Sequence, residues 1–184
     1  FFSIFPLVWI ISASLNPTGT LATARIIPKN PGLQNFKSLI GNPTFPFFLW
    51  FWNSIKITTI TTFSTLFLTT MAAYAFSRFR FPGRNFLFFA VLLRNMFPAV
   101  VFLVPLFILM KVLGLVNTHG SLILTYLTFG LPLAIWLLKG FYDNIPIQLE
   151  QAARIDGATR FQAFLLIVMP LSTPGIIATS IYSF

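Results

Sequence analysis

Long uncharged stretches set the pattern of this chain. Between Lys56 and Arg78 the 21 residues 57–77 carry no charge. Residues 95–110 and 112–138 are also uncharged, as are 1–15 and 161–184. About 20 apolar residues carry a helix across the hydrocarbon of a bilayer. The pattern therefore predicts five helical spans, at about 1–15, 48–76, 86–110, 121–141 and 163–184. The alternating segments of about ten residues that a lipid-facing barrel needs are missing. The segment 16–45 is rich in Pro, Gly and Asn and reads as an ordered loop with turns. No internal repeat or low-complexity tract is evident.

The basic residues orient these spans. Arg78, Arg80 and Arg84 cluster between the second and third spans, and Lys139, Arg154 and Arg160 between the fourth and fifth. The loop between the third and fourth offers only Lys111 and His119. By parity the two basic loops share a side, which the positive-inside rule makes cytoplasmic. Arg25, Lys29 and Lys37 then lie in the external segment, a longer loop that weighs less in the rule. The chain begins at Phe1 without an initiator Met and stops at Phe184 inside an apolar run, and is read as a fragment. The run 1–15 has no basic flank or small-residue cleavage site and reads as a clipped span, not a signal peptide.

Composition narrows the function classes. The chain is 57% hydrophobic and only 8% charged, with a mean hydropathy of +0.85. That is far below the roughly 25% charge of a soluble domain, so the surrounding solvent is largely lipid. A net charge of +9 invites a nucleic-acid reading. The twelve basic residues form no dense patch, which excludes nucleic acid as the partner. No cysteine is present, so disulfides, thiol catalysis and cysteine-ligated metals are excluded. The three acids, Asp143, Glu150 and Asp156, all fall in one loop, and the single His119 lies on the opposite side and reads as a surface residue. No nucleophile–base set, intramembrane carboxylate pair or metal cluster can be assembled, and an intramembrane enzyme is set aside. A proton-driven transporter places acids or His within its spans, and this chain places none there. No phosphate-loop motif occurs, so the chain does not hydrolyse ATP by itself. The 24 phenylalanines read as lipid-facing and packing groups.

Two features inside the spans stay open. Pro98, Pro105, Pro132, Pro170 and Pro174 each remove a backbone hydrogen bond, either bending a helix for packing or marking bent helices along a path that opens and closes. Lys56 reads as a snorkelling residue near the outer end of its span, whereas Arg94 fits snorkelling or a role in a path equally well.

The segment 143–162 is the most informative. Pro146 suits the first turn of a helix, with Asn144 just before it as a candidate cap. The helix is expected to run to about Asp156. Gly157 follows, where a left-handed turn needs a residue without a Cβ. Thr159 and Gln162 match a capping box that starts a second helix running on toward the fifth span. On the first helix Leu149, Ala152 and Ala153 share a face, and Glu150 and Arg154 are spaced to pair with each other or with a partner. Periodicity alone leaves an amphipathic loop on the membrane surface as an equal reading.

The pattern Glu150-x-Ala152-Ala153-x-x-Asp156-Gly157-Ala158, followed by Met169-Pro170, resembles the cytoplasmic loop signature of importer-type ABC transporter permeases. Members usually have Leu-Pro where this chain has Met-Pro. Asn53-Ser-Ile-Lys56, Arg80-Phe-Pro-Gly83, Met96-Phe-Pro-Ala99 and Gly114-Leu-Val-Asn-Thr-His-Gly120 resemble the carbohydrate branch, most closely the second permease subunit of maltose/maltodextrin-type importers. The resemblance covers nearly all 184 residues. It implies an all-α polytopic transmembrane helix bundle, one permease domain over 1–184, with about five of an expected six spans present. It implies a multi-pass subunit in the cell membrane of a prokaryote. Glu150, Ala152, Ala153, Asp156, Gly157 and Ala158 would form a coupling loop that docks in a cytoplasmic ABC ATPase dimer. A second permease and an extracytoplasmic sugar-binding protein would complete the assembly. ATP and Mg would be bound by the ATPase, and this chain would bind no cofactor or metal. Alternatives are a permease for another small solute such as glycerol phosphate, or a membrane protein with a structural or interaction role.

Overall fold

The computed structural model of the chain describes residues 4–17, 30–42 and 44–184. Among the described residues every regular element is a helix: α1 Phe5–Ser14, α2 Gln34–Gly41, α3 Phe47–Arg78, α4 Arg84–Leu93, α5 Ala99–Val112, α6 His119–Asp143, α7 Ile147–Ile155, α8 Arg160–Ala163, α9 Met169–Leu171 and α10 Thr173–Ser183. The backbone clusters into two compact units, Phe1–Ile55 and Lys56–Phe184, with the division falling within α3. The central part of the expected external loop, with Arg25 and Lys29, lies outside the described residues.

In the first unit α1 ends in carbonyls that no helical N–H can reach. Asn35, on α2, supplies two of the missing donors: its side-chain amide donates to the carbonyls of Ser14 (3.0 Å) and Asn16 (2.8 Å). The Gly32 N–H donates to the Leu15 carbonyl at 2.9 Å.

In the second unit the expected spans take three forms. His119–Asp143 is by itself long and apolar enough to cross a membrane. Arg84–Met96 with Ala99–Val112, and Arg160–Leu171 with Thr173–Ser183, reach that length only as pairs, bent by 104° and 75°. The first break falls at Phe97–Pro98, where Pro98 stands just before α5 and holds Phe97 extended. The second falls at Ser172, whose hydroxyl turns back to the Val168 carbonyl at 2.7 Å, with Pro174 in the first turn of α10. Between α8 and α9 the backbone widens into a π-turn over Phe164–Val168, just ahead of Pro170, which has no N–H to give to the helix. Pro105 and Pro132 sit inside continuous helices. Thus only some of the prolines break a span. Of the remaining stretches, α1 covers 10 residues and α3 runs 32 without a break.

Helix α3 is inverted relative to a soluble helix. Its buried positions are Ile57, Thr61, Thr62, Thr65, Thr69, Thr70 and Ala73, while Phe63, Phe67 and Met71 face outward. A lipid environment favours this arrangement, because phenyl groups are at home in hydrocarbon and the polar threonine side chains are kept away from it. The main apolar core lies at one end of the unit, where α3, α6 and α8–α9 converge on Ala73, Ile135, Leu138, Tyr142, Ile145, Phe164 and Val168.

The ends of α3 and α6 meet at this core. The Ser77 hydroxyl donates to Asp143 at 2.6 Å, and the Arg78 guanidinium donates to the Ile145 carbonyl at 2.8 Å. The two basic loops therefore lie on one side of the unit, as the parity of the spans requires. Arg94 does not extend toward that side. Its guanidinium lies 3.8 Å from the centre of the Phe129 ring and 5.3 Å from that of Phe102, a cation–π clasp beside the break between α4 and α5.

Two predictions follow from this packing. A Cβ added at Gly175 would come within 2.4 Å of Phe141 Cγ and 2.9 Å of its Cβ, the stiff base of that side chain. Gly175→Ala is expected to destabilise the protein by about 1–3 kcal/mol, the usual cost of overpacking. Gly140→Ala, with open space around it, is expected to be harmless, and thermal unfolding in detergent separates the two. Cysteines placed at Gly83 and Gly157 are expected to react from the same membrane face, while one at Gly32 reacts from the other. Labelling of 83 and 157 from opposite faces would refute the shared side.

Candidate functional site

The site is the loop between α6 and α10, with the end of α3 on which it rests. Its local form follows from the sequence. Helix α7 starts after Pro146 and ends at Ile155, with Asp156 as the terminal cap. Gly157 has φ +94°, the left-handed conformation expected of it. The Gly157 N–H bonds the Arg154 carbonyl (3.2 Å) and the Ala158 N–H bonds the Ala153 carbonyl (3.0 Å), a Schellman closure of the helix. The capping box is present in both directions: Gln162 N–H to the Thr159 hydroxyl at 3.2 Å, and Thr159 N–H to the Gln162 side chain at 2.8 Å. Asn144 plays a different part from the one expected. It caps the end of α6, donating to the Gly140 carbonyl at 2.9 Å, and α7 begins without a side-chain cap.

The structure separates the signature residues by direction. Glu150 points inward. Its side chain is 8% exposed and forms an ion pair with Arg78, itself 9% exposed, from the end of α3. Tyr74, one turn earlier on α3, donates its phenol O–H to the other carboxylate oxygen at 2.8 Å. Arg78 also holds the Ile145 carbonyl, so one guanidinium fastens both the start of the loop and its helix. Beside it Lys139 pairs with Asp143, which accepts the Ser77 hydroxyl. Arg154, expected within reach of Glu150, makes no ion pair among the described residues. The long-range partner wins because Arg78 meets the carboxylate in a nearly dry pocket and satisfies it together with Tyr74.

The other residues face out. Ala152, Asp156 and Gly157 are exposed and Ala153 and Ala158 half-buried, flanked by exposed Leu149 and by Ile155, which is 86% exposed. Phe161 opens the second helix with its ring also outward. Exposed Ile155 and Leu149 stand beside small alanine side chains, which leave room for another surface to approach closely. Beneath it the loop rests on aromatic rings: Tyr74 and Phe164 lie 4.5 Å apart between centres, and each meets Tyr142 edge-on. Sequence reading found the outward face and the glycine turn. It missed Arg78, Tyr74 and Ser77. The only signal for these was Arg78 closing an uncharged stretch, which says nothing of what it contacts.

Among the described residues no group of His, Cys, Asp or Glu is arranged to hold a metal ion.

Comparison with known proteins places this architecture. Residues 65–184 match the family described as binding-protein-dependent transport system inner membrane component. The chain is 41% identical over 93% of its length to the galactooligosaccharides transport system permease protein GanQ of Bacillus subtilis, covering 61% of that protein. It is 41% identical over 98% of its length to the maltose/maltodextrin transport system permease protein MalG of Vibrio vulnificus, and 42% identical over 100% to the trehalose transport system permease protein SugB of Mycobacterium tuberculosis. The chain spans 66% of each of these last two, so it represents somewhat less than two thirds of the length of such relatives. The crystal structure of a bacterial ABC transporter involved in the import of the acidic polysaccharide alginate shares the fold, with a TM-score of 0.81 at 22% identity over 99% of this chain and 64% of that one. On the family match and these identities together, the chain belongs to the binding-protein-dependent transport system inner membrane components.

Proposed function

We propose that this chain is the transmembrane permease subunit of an ATP-driven, binding-protein-dependent sugar importer, and that the loop at 143–162 couples it to a cytoplasmic ABC ATPase. The observation that carries the reading is the division of labour on α7. Glu150 is anchored inward on Arg78 while Leu149, Ala152, Ile155 and the Gly157 turn face outward. A surface loop floating on lipid has no need of a buried ion pair at its root. A loop that receives a push does, because the push must reach the spans without being absorbed.

The mechanism follows from the contacts. The partner ATPase supplies the chemistry, binding and hydrolysing ATP with Mg. This chain supplies the lever. Movement of α7 is passed through Glu150 to Arg78 and Tyr74 on α3, and through Ile145 and Tyr142 to α6. Both are long single helices, so displacement at their inner ends is carried across the unit. The bent pairs α4–α5 and α8–α10 offer breaks at which the bundle can yield. The relatives named for maltose/maltodextrin, trehalose and galactooligosaccharides favour a neutral oligosaccharide or disaccharide as cargo. A second permease and an extracytoplasmic binding protein complete the assembly, in the cell membrane of a prokaryote.

Gly157 tests the docking face. Any Cβ at this left-handed position costs roughly 1 kcal/mol, and a β-branched one more. Gly157→Val is expected to leave the protein in the membrane, weaken its co-purification with the ATPase and stop sugar uptake in the reconstituted transporter. Normal pull-down and uptake at matched protein levels would reduce the segment to a plain surface loop.

The Arg78–Glu150 pair tests the lever. Removing one partner strands the other charge in a buried site, a loss of about 3–5 kcal/mol. Arg78→Ala and Glu150→Ala are each expected to lower the thermal unfolding temperature. The double variant is expected to recover part of that stability, and the transporter reconstituted with it to hydrolyse ATP through its ATPase subunits with little uptake, because the loop is no longer tied to α3. Additive losses in the double-mutant cycle would show that the two side chains do not act together.

A further inference from the structure

Two cavities of opposite character meet where α3 ends against the second helix of the loop. The first is a groove of about 590 Å³ between α3 and residues 160–164. Leu68, Met71, Ala72 and Ala75 line it along α3, and Phe161 and Phe164 line it from the loop. Leu68, Met71 and Phe161 are exposed, so the groove opens outward. Apart from Tyr74 and Arg160, every side chain lining it is apolar.

The second is a cleft of about 120 Å³ between the end of α3 and α7. It is lined by Arg78, Arg154 and Arg160 and by one acid, Glu150. The two cavities share Tyr74, Phe79 and Arg160. Glu150 is already taken by Arg78 and Tyr74. Arg154 and Arg160 are exposed and make no ion pair among the described residues. The Arg160 guanidinium lies over the Phe79 ring, 5.8 Å from its centre, where groove and cleft join. Two cations therefore stand without an acid partner at the mouth of an apolar groove.

The depth and direction of the groove match one leaflet of a bilayer. From Leu68 to the end of α3 at Arg78 the helix rises about 15 Å, at about 1.5 Å per residue. That is half of a hydrocarbon core roughly 30 Å thick. Leu68 lies near the middle of the uncharged stretch 57–77, and the arginines stand at its boundary. A guanidinium presents its donors in a fork that matches phosphate oxygens, and it stacks on an aromatic face as well. Basic pockets beside spans at the membrane surface suit anionic head groups. A free anion would satisfy the arginines and leave the groove empty, and a neutral lipid would do the reverse.

We propose that an anionic phospholipid occupies this composite site, with one acyl chain along Met71, Ala72 and Ala75 and its phosphate on Arg160 and Arg154. The lipid then lies against Tyr74, which also holds Glu150, and so borders the anchor of α7. Arg154 lines the cleft from a flank of α7 apart from Leu149, Ala152 and Ile155, which leaves the outward face of the loop free. The inference goes beyond the importer reading. It needs the membrane location of the family, and neither the cargo nor the ATPase.

Photolabelling tests it. The full-length chain, purified with the subunits that accompany it, is returned to phosphatidylcholine vesicles containing a trace of phosphatidylglycerol with a photoreactive group on one acyl chain. Illumination is expected to attach this probe to the peptide carrying Met71–Ala75. Unlabelled phosphatidylglycerol is expected to lower the yield several-fold, and inorganic phosphate to leave it unchanged. A phosphatidylcholine probe with the same acyl chains is expected to label that peptide several-fold less. Arg154→Gln with Arg160→Gln is expected to erase the difference between the two head groups without shifting the unfolding temperature, since both side chains are exposed. Arg160→Lys, which keeps the charge, is expected to retain most of it. Equal labelling by the two probes on the parent protein would overturn the proposal, whatever the variants do to folding. So would an unchanged head-group preference in the double variant, or competition by inorganic phosphate, which would mark an ion site. Absence of any label on that peptide in the purified assembly would show that another protein surface covers the groove, and would overturn the proposal equally.

Discussion

The buried pair of Arg78 and Glu150 is the constraint around which this end of the helical bundle is organised. Two charges withdrawn from water are expensive unless each finds its full set of partners. Here the carboxylate takes the guanidinium on one oxygen and the Tyr74 phenol on the other, and the guanidinium has a further acceptor in the Ile145 carbonyl. Meeting those demands fixes the end of α3, the exit from α6 and the orientation of α7 at once. The apolar core then has a defined shape to fill. Tyr74, Tyr142 and Phe164 occupy it with their rings tilted or edge-on, which suits the quadrupoles of aromatic groups.

That arrangement gives the loop two faces with different tasks. The inward face is polar and tied down, and the outward face is small and apolar. On the outward face Leu149 and Ile155 expose apolar surface beside small alanine side chains. That surface does not depend on Glu150 meeting a basic partner. The glycine turn at the end of α7 directs the chain straight into the capping box of α8, so the outward surface is short and its backbone hydrogen bonds are closed at both ends.

The membrane half of the bundle inverts the usual rule of burial. Helix α3 turns threonines inward and phenylalanines outward, and the cleft between α3, α6 and α10 collects hydroxyls from Thr, Tyr and Ser side chains. Straight helices carry displacement, and breaks absorb it. In chain order the bends at Phe97–Pro98 and at Ser172 stand on either side of the straight helix α6, and the other straight helix, α3, precedes both. Arg94 beside the first bend spends its charge on two aromatic rings, an economical answer for a cation that has no acid near it.

The sequence by itself determined what depends on near neighbours and on solvent. Uncharged stretches mark the long helices because charge is costly in lipid, although of the five expected spans only His119–Asp143 is by itself long and apolar enough to cross, with two more reaching that length as bent pairs. Gly157 announces its own turn because only a residue without a Cβ sits easily at φ +94°. Thr159 and Gln162 meet across three residues and needed no wider context. Tertiary structure decided what depends on residues far apart in the chain. Glu150 had a neighbour at Arg154 and took Arg78, 72 residues earlier, because the packing of α7 on α3 excludes water from that pair. Gly175 looked like any helical glycine until Phe141 came to lie against it. Asn144 was poised between two helices, and its amide closed the earlier one. Five prolines gave the same local signal, yet Pro105 and Pro132 stay within unbroken helices while Pro98 and Pro174 flank sharp bends. The missing N–H is common to all of them, and the surrounding bundle decides whether the helix is held straight or folds at that point.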